Sequence, residues 1–158
     1  MTDGTDRTAA GRSRREVATA LAGALATGVV AQSAAAAADA TPTAGDLPPD
    51  FKVVFHVSDG AHWPYALSNV ENLRQDWPDS GLRLVVDGLG VYALQGDSDV
   101  VRRLAAAAAA GLDVQVCPNA LREHAIPVGT MPGFASTRLG GVAALVLAHR
   151  EGFVYVKP

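Results

Sequence analysis

One thiol and four imidazoles are the side chains best suited to chemistry in this chain: Cys117, and His56, His62, His124 and His149. A single cysteine allows no internal disulfide and no cysteine cage for zinc. The histidines offer no His-x-x-x-His spacing, so no metal is expected. Cys117 follows the apolar-alternating run Asp113 to Val116 and directly precedes Pro118. Proline is favoured at the first helical position, which places the thiol at the N-cap of a helix that opens after a strand. Unpaired N–H groups and the positive end of the helix dipole favour a thiolate there, each such interaction contributing about 0.3 to 1 kcal/mol. Cys117 is therefore the candidate nucleophile. The competing reading is a small buried hydrophobe at a strand end, which free cysteine often is.

The neighbouring candidates are weaker. Gly88-Leu89-Gly90-Val91-Tyr92-Ala93 has the G-x-G-x-x-A spacing of a dinucleotide fingerprint. It follows the second apolar run, though, and no acidic residue closes the next one, because Cys117 holds that place. A tight turn, with a wall of backbone N–H groups beside the thiol, is the expected role of Gly88 and Gly90. Ser58, His56 and Tyr92, with Pro118 and Asn119 from the Cys117 junction, complete the candidate pocket. His56 inside a strand also reads as a satisfied core histidine, and Tyr92 and Trp63 as packing residues. Asp59 and Asp87 read as turn and cap residues, and no G-x-S-x-G elbow or paired-carboxylate arrangement stands out.

The elements that must position these residues alternate in period. Lys52 to Val57 (KVVFHV) is a short, nearly continuous β-branched and aromatic run, as in a strand covered on both faces. Trp63, Ala66, Leu67, Val70, Leu73 and Trp77 then recur at helical spacing, with Ser58 or Asp59 as cap, Pro64 in the first turn and Pro78 as the stop. Leu82 to Val86 is a second strand. Asp97 or Ser98 caps a helix through Val100, Val101, Leu104 and an alanine run ending at Gly111. Asp113 to Val116 is a third strand, followed by the short helix from Pro118 that Pro127 must stop. A brief strand near Phe134 to Thr137, a helix from Gly141 to Arg150 and a last strand from Phe153 to Lys157 complete the series. Five strands alternating with helices predict a three-layer, doubly wound α/β domain with a mostly parallel sheet. Ligands of such sheets bind beyond the carboxyl ends of the strands, where Ser58 to His62, Asp87 to Tyr92 and Cys117 to Asn119 fall.

Composition bounds the answer. The 158 residues carry 49% hydrophobic and 18% charged side chains, enough for one packed domain of ordinary size. The net charge of −3 gives no electropositive excess for a phosphate backbone, so nucleic acid is not an expected partner. The first fifty residues differ from the rest. Arg7, Arg12, Arg14 and Arg15 are followed by no Lys or Arg until Lys52, and Val17 to Ala38 is a mildly apolar, alanine-dominated stretch. Ser13-Arg14-Arg15-Glu16-Val17 resembles a twin-arginine export signal, with Ala38-Asp39-Ala40 as a small-x-small cleavage pattern. The expected organisation is a signal peptide over 1–40, a flexible lead-in over 41–50 and the α/β domain over 51–158. Export to the periplasm or cell envelope follows, with membrane contact only through an uncleaved leader.

Several pieces in order carry a further likeness. KVVFHV at 52–57, Leu67-Ser68-Asn69-Val70-Glu71-Asn72-Leu73, Val86-Asp87-Gly88-Leu89-Gly90-Val91, Val116-Cys117-Pro118-Asn119-Ala120-Leu121, and the ending Gly141-Val142-Ala143 to Gly152-Phe153-Val154-Tyr155-Val156-Lys157-Pro158 together resemble the DsrE/DsrF-like sulfur-relay family. The resemblance implies a subunit that assembles into trimers or hexamers and a cysteine after a central strand that carries sulfur as a persulfide. Cys117 matches that position. It implies a sulfur carrier or sulfurtransferase with donor and acceptor proteins or small thiols as partners and no prosthetic group. The alternative is a small-ligand-binding or interaction module of the same fold, with the thiol incidental.

Overall fold

The computed structural model describes residues 44–158; the expected signal peptide at 1–40 lies outside them. A 3-10 turn at Ala44–Asp46 interrupts the lead-in, where no regular structure is expected. Five strands follow: β1 (Lys52–Val57), β2 (Gly81–Val86), β3 (Asp113–Val116), β4 (Ala135–Ser136) and β5 (Val154–Val156). Four α-helices separate them: α1 (Trp63–Asp76), α2 (Asp99–Ala109), α3 (Pro118–Glu123) and α4 (Gly141–Arg150). Every strand pair is parallel and the order is β4-β3-β2-β1-β5. The domain is a doubly wound α/β fold, and its sheet is wholly parallel.

That order fixes the layers. From β1 to β4 the chain steps in one direction across the sheet, and right-handed crossovers put α1, α2 and α3 on one face. The return from β4 to β5 crosses the whole sheet, and α4 covers the opposite face alone. Strand alternation matches this division. Val53, Phe55, Val57, Leu82, Leu84, Val86, Val114 and Val116 join Trp63, Leu67, Val70, Leu104 and Leu121 in the larger core. The second core holds only Val54, Val85, Ala144 and Ala148 as buried members. Leu139, Leu145 and Phe153 pack partly buried around it, beside a polar network at Arg83. Arg83 Nε donates to Asp113 Oδ2 at 2.6 Å, Arg83 Nη1 donates to Glu151 Oε2 at 2.8 Å, and the guanidinium lies 4.4 Å from the Phe153 ring centroid.

Local signals place the helices. The Asp59 carboxylate accepts the Ala61 N–H at 2.9 Å and starts a 3-10 turn, Gly60–His62, that runs into α1. Ser98 Oγ accepts the Val101 N–H at 3.1 Å and donates to Ala93 O at 2.7 Å, capping α2. The C-termini of α2, α3 and α4 share one device: an N–H two residues past the cap reaches back to a carbonyl five residues earlier. The pairs are Leu112 to Ala107, Ile126 to Leu121 and Phe153 to Ala148, at 3.0, 2.8 and 3.0 Å. The motif needs a left-handed residue, supplied by Gly111 (φ 94°), Ala125 (φ 53°) and Gly152 (φ 85°). So α3 stops at Glu123 through this turn, before Pro127 is reached.

Candidate functional site

Parallel register brings the carboxyl ends of β1, β2 and β3 to one edge of the domain. Val57 pairs with Val86, and Val86 with Val116, so Asp87 and Cys117 leave neighbouring strands side by side. The Cys117 N–H donates to Val86 O at 2.8 Å, which ties the junction to β2. Here an open cleft of about 760 Å³ is lined by Asp87, Gly88, Cys117, Asn119, Ala120 and Glu123, with Gly140 to Ala143 from the start of α4.

Cys117 is the N-cap of α3, with extended backbone (φ −68°, ψ 113°) and proline following. A thiolate held by unpaired N–H groups is the expectation at this position, and the structure differs. The thiol makes no capping hydrogen bond, the residue is 7% exposed, and it belongs to the larger apolar core while lining the cleft floor. Pro118 has no N–H to offer, which removes one of the donors a helix start would present. The first turn of α4 is the other amide source at the cleft, because its leading N–H groups have no intrahelical acceptor.

Asp87 departs most from its expected role as a turn residue. Its Oδ1 lies 2.9 Å from His56 Nε2, and His56 Nδ1 lies 2.9 Å from the Tyr155 hydroxyl. A carboxylate accepts only, so Nε2 carries the proton, and in the neutral ring Nδ1 accepts from Tyr155. Tyr155 on β5, His56 on β1 and Asp87 just past the end of β2 thus form a hydrogen-bonded chain that ends at the cleft wall. The other oxygen of Asp87 faces α4, where a side-chain carbon on Gly141 would stand 2.6 Å from Oδ2. Only glycine at 141 lets the helix start this close.

The remaining candidates divide. Gly88 and Asn119 line the cleft, and His56 stands behind Asp87. Pro118 opens α3 without lining the cleft. Ser58 and Gly90 do not reach it either. The Gly90 N–H is taken by Ser58 O at 3.2 Å and Asp87 O at 3.0 Å, and Gly90 O accepts the buried Trp63 indole N–H at 3.0 Å. The Gly90 amide of the expected wall is therefore consumed in holding the turn. A side-chain carbon on Gly88 would lie 2.8 Å from Ser58 O, and one on Gly90 2.7 Å from Val57 O, so both glycines serve close backbone approach. Tyr92 rides on the 3-10 segment Gly88–Leu94 and packs against His124, with ring centroids 5.0 Å apart, outside the cleft wall.

Glu123, Tyr155 and the Gly140-Gly141 start of α4 are site residues that sequence reasoning passed over, and Asp87, placed at the strand ends, was given only a turn or cap role. The Gly140-Gly141 pair before an apolar helix was the one signal available for the close approach. The cleft presents two carboxylates, and no Lys or Arg is among its described lining residues. Arg122 stands next to it, its Nη2 donating to Asn119 Oδ1 at 2.7 Å. Among the described residues no group of three His, Cys, Asp or Glu side chains is placed to hold a metal ion. Within them, no helix is long and apolar enough to cross a membrane.

Among solved structures, a protein of unknown function from Methanobacterium thermoautotrophicum is similar to this chain. It superimposes with a TM-score of 0.63 at 27% sequence identity, over 69% of this chain and 100% of that one. No protein-family model matches the chain, and no curated protein matches it.

Proposed function

We propose that the domain is a sulfur carrier that holds sulfane sulfur as a persulfide on Cys117. The observation that carries this reading is the position of the sole cysteine: it lines the floor of the strand-end cleft, between the starts of α3 and α4. Loading is a displacement at sulfur. The Cys117 thiolate attacks the outer sulfur of a donor R–S–SH, the new S–S bond forms as the old one breaks, and RS⁻ leaves. In unloading, an acceptor thiolate attacks the outer sulfur of Cys117–S–SH and the Cys117 thiolate departs. The open N–H groups at the start of α4 are the donors available to anionic sulfur in the cleft.

Intact-mass spectrometry after incubation with a persulfide donor tests the reading. A gain of about 32 Da, reversed by dithiothreitol and absent in Cys117→Ser, is the expected result. Absence of any gain under donor excess, with the thiol intact and alkylatable, overturns it.

The partners that complete the reading are a sulfur donor, an acceptor thiol and further copies of this chain. Support for self-association is the apolar surface left open: Tyr65, Val142, Val146 and Tyr155 are large, hydrophobic and exposed. The export reading, with its periplasmic or cell-envelope setting, belongs to the same proposal. Blocking of the twin-arginine route, with accumulation of the full-length chain inside the cell, is its test.

A further inference from the structure

The helix that covers the thin face of the sheet is built inside out. Gly141, Ala144 and Ala148 are buried against the strands and Leu145 partly so, while the branched side chains Val142 and Val146 point away, 75% and 56% exposed. A surface helix normally shows the reverse, and a helix apolar on all sides is one covered by something else. The outward stripe is Val142, Val146 and then His149 with Arg150, spaced to lie along one side. Its first end borders the cleft, which carries the carboxylates of Asp87 and Glu123; its last end is cationic. Val142 and Arg150 lie about 12 Å apart along the helix, symmetrically about Val146.

We propose that two copies of this chain pair through antiparallel α4 helices about an axis at Val146, so that Arg150 of each closes over the Cys117 cleft of the other. An antiparallel pairing is the one orientation that sets the apolar centres together and each cationic end against the other copy's acidic cleft mouth. A parallel pairing would place like charges face to face. The arrangement adds Arg150 to a cleft whose own described lining holds no Lys or Arg, with Arg122 beside it, and it makes the cleft a property of the pair. This rests on the self-association proposed above and names its geometry.

The test uses the full chain. Val146→Cys in a Cys117→Ala background is expected to give a covalent dimer on mild oxidation, because residue 146 meets its own copy at the axis. Val146→Asp is expected to lower the association state in sedimentation velocity. Arg150→Ala is expected to reduce, several-fold, the rate of Cys117 alkylation by iodoacetate relative to neutral iodoacetamide, since the anionic reagent alone gains from the cation. A wild-type chain that is oligomeric, yet gives no Val146→Cys dimer and keeps its assembly in Val146→Asp, overturns this interface while leaving self-association standing. A wild-type monomer at high concentration overturns both. If Val146→Asp does not fold, the cross-linking and reagent-ratio results decide.

Discussion

His56 Nε2 on β1 lies 2.9 Å from the Asp87 carboxylate at the end of β2, and both side chains are mostly buried. The contact joins the sheet to the cleft wall, because Asp87 lines the cleft while His56 is anchored through Tyr155 on β5. Removing the acceptor leaves a mostly buried imidazole N–H without a partner. Asp87→Ala is therefore expected to cost about 1–3 kcal/mol, and Asp87→Asn, which keeps an acceptor oxygen, less. Urea denaturation of the three proteins is the measurement. An Asp87→Ala loss within about 0.5 kcal/mol would mean that water replaces the carboxylate freely.

Gly141 is a sharper probe of the same corner. Alanine there puts a carbon 2.6 Å from Asp87 Oδ2 and 3.1 Å from Asp87 Cβ, so either the carboxylate or the helix start must move. Gly141→Ala is expected to destabilise by about 1–3 kcal/mol, the usual range for inserting a methyl into a filled space. Gly140→Ala meets only the Asn119 amide nitrogen, at 3.2 Å, and is expected to cost less. Equal stability of the two variants would contradict the packing described.

Ala125 is the misfit among the three helix ends. It holds the left-handed position that Gly111 and Gly152 hold elsewhere, and a Cβ in that conformation costs about 1–2 kcal/mol. Part of this is offset by the greater unfolded-state freedom of glycine, so Ala125→Gly is expected to stabilise by about 0.5–1 kcal/mol. Gly111→Ala should act in the opposite direction. Melting temperatures of both variants check the pair, and a destabilising Ala125→Gly would show that the turn is not limited by its backbone.

The order of the five strands and four α-helices could be read from residues 51–158 because the signals are local: a β-branched run at 52–57, helical spacing from Trp63 to Leu73, a serine before α2 and a proline after Cys117; the 3-10 segments Gly88–Leu94 and Val128–Thr130 were read as turn and loop. The cleft could be read only in part. Gly88, Asn119 and Cys117 were accessible as strand-end residues, but Asp87 gains its role from His56, 31 positions earlier, and from Gly141 on a helix that returns across the whole sheet. Nothing in its local sequence separates it from a turn aspartate. Tyr92 fails for the opposite reason: its sequence neighbours lie near the site, but the 3-10 turn carries its ring round to His124.

The two faces of the sheet are held very unequally, by three helices on one side and on the other by two alanines over two valines, with Leu139, Leu145 and Phe153 only partly buried around them. In an isolated subunit the backbone amides of α4 should therefore exchange with deuterium well before those of α1, each opening event briefly unroofing the sulfur. Protection of the α4 amides would then rise with protein concentration, which makes mass action, rather than the intrinsic cohesion of one chain, the control on access to residue 117.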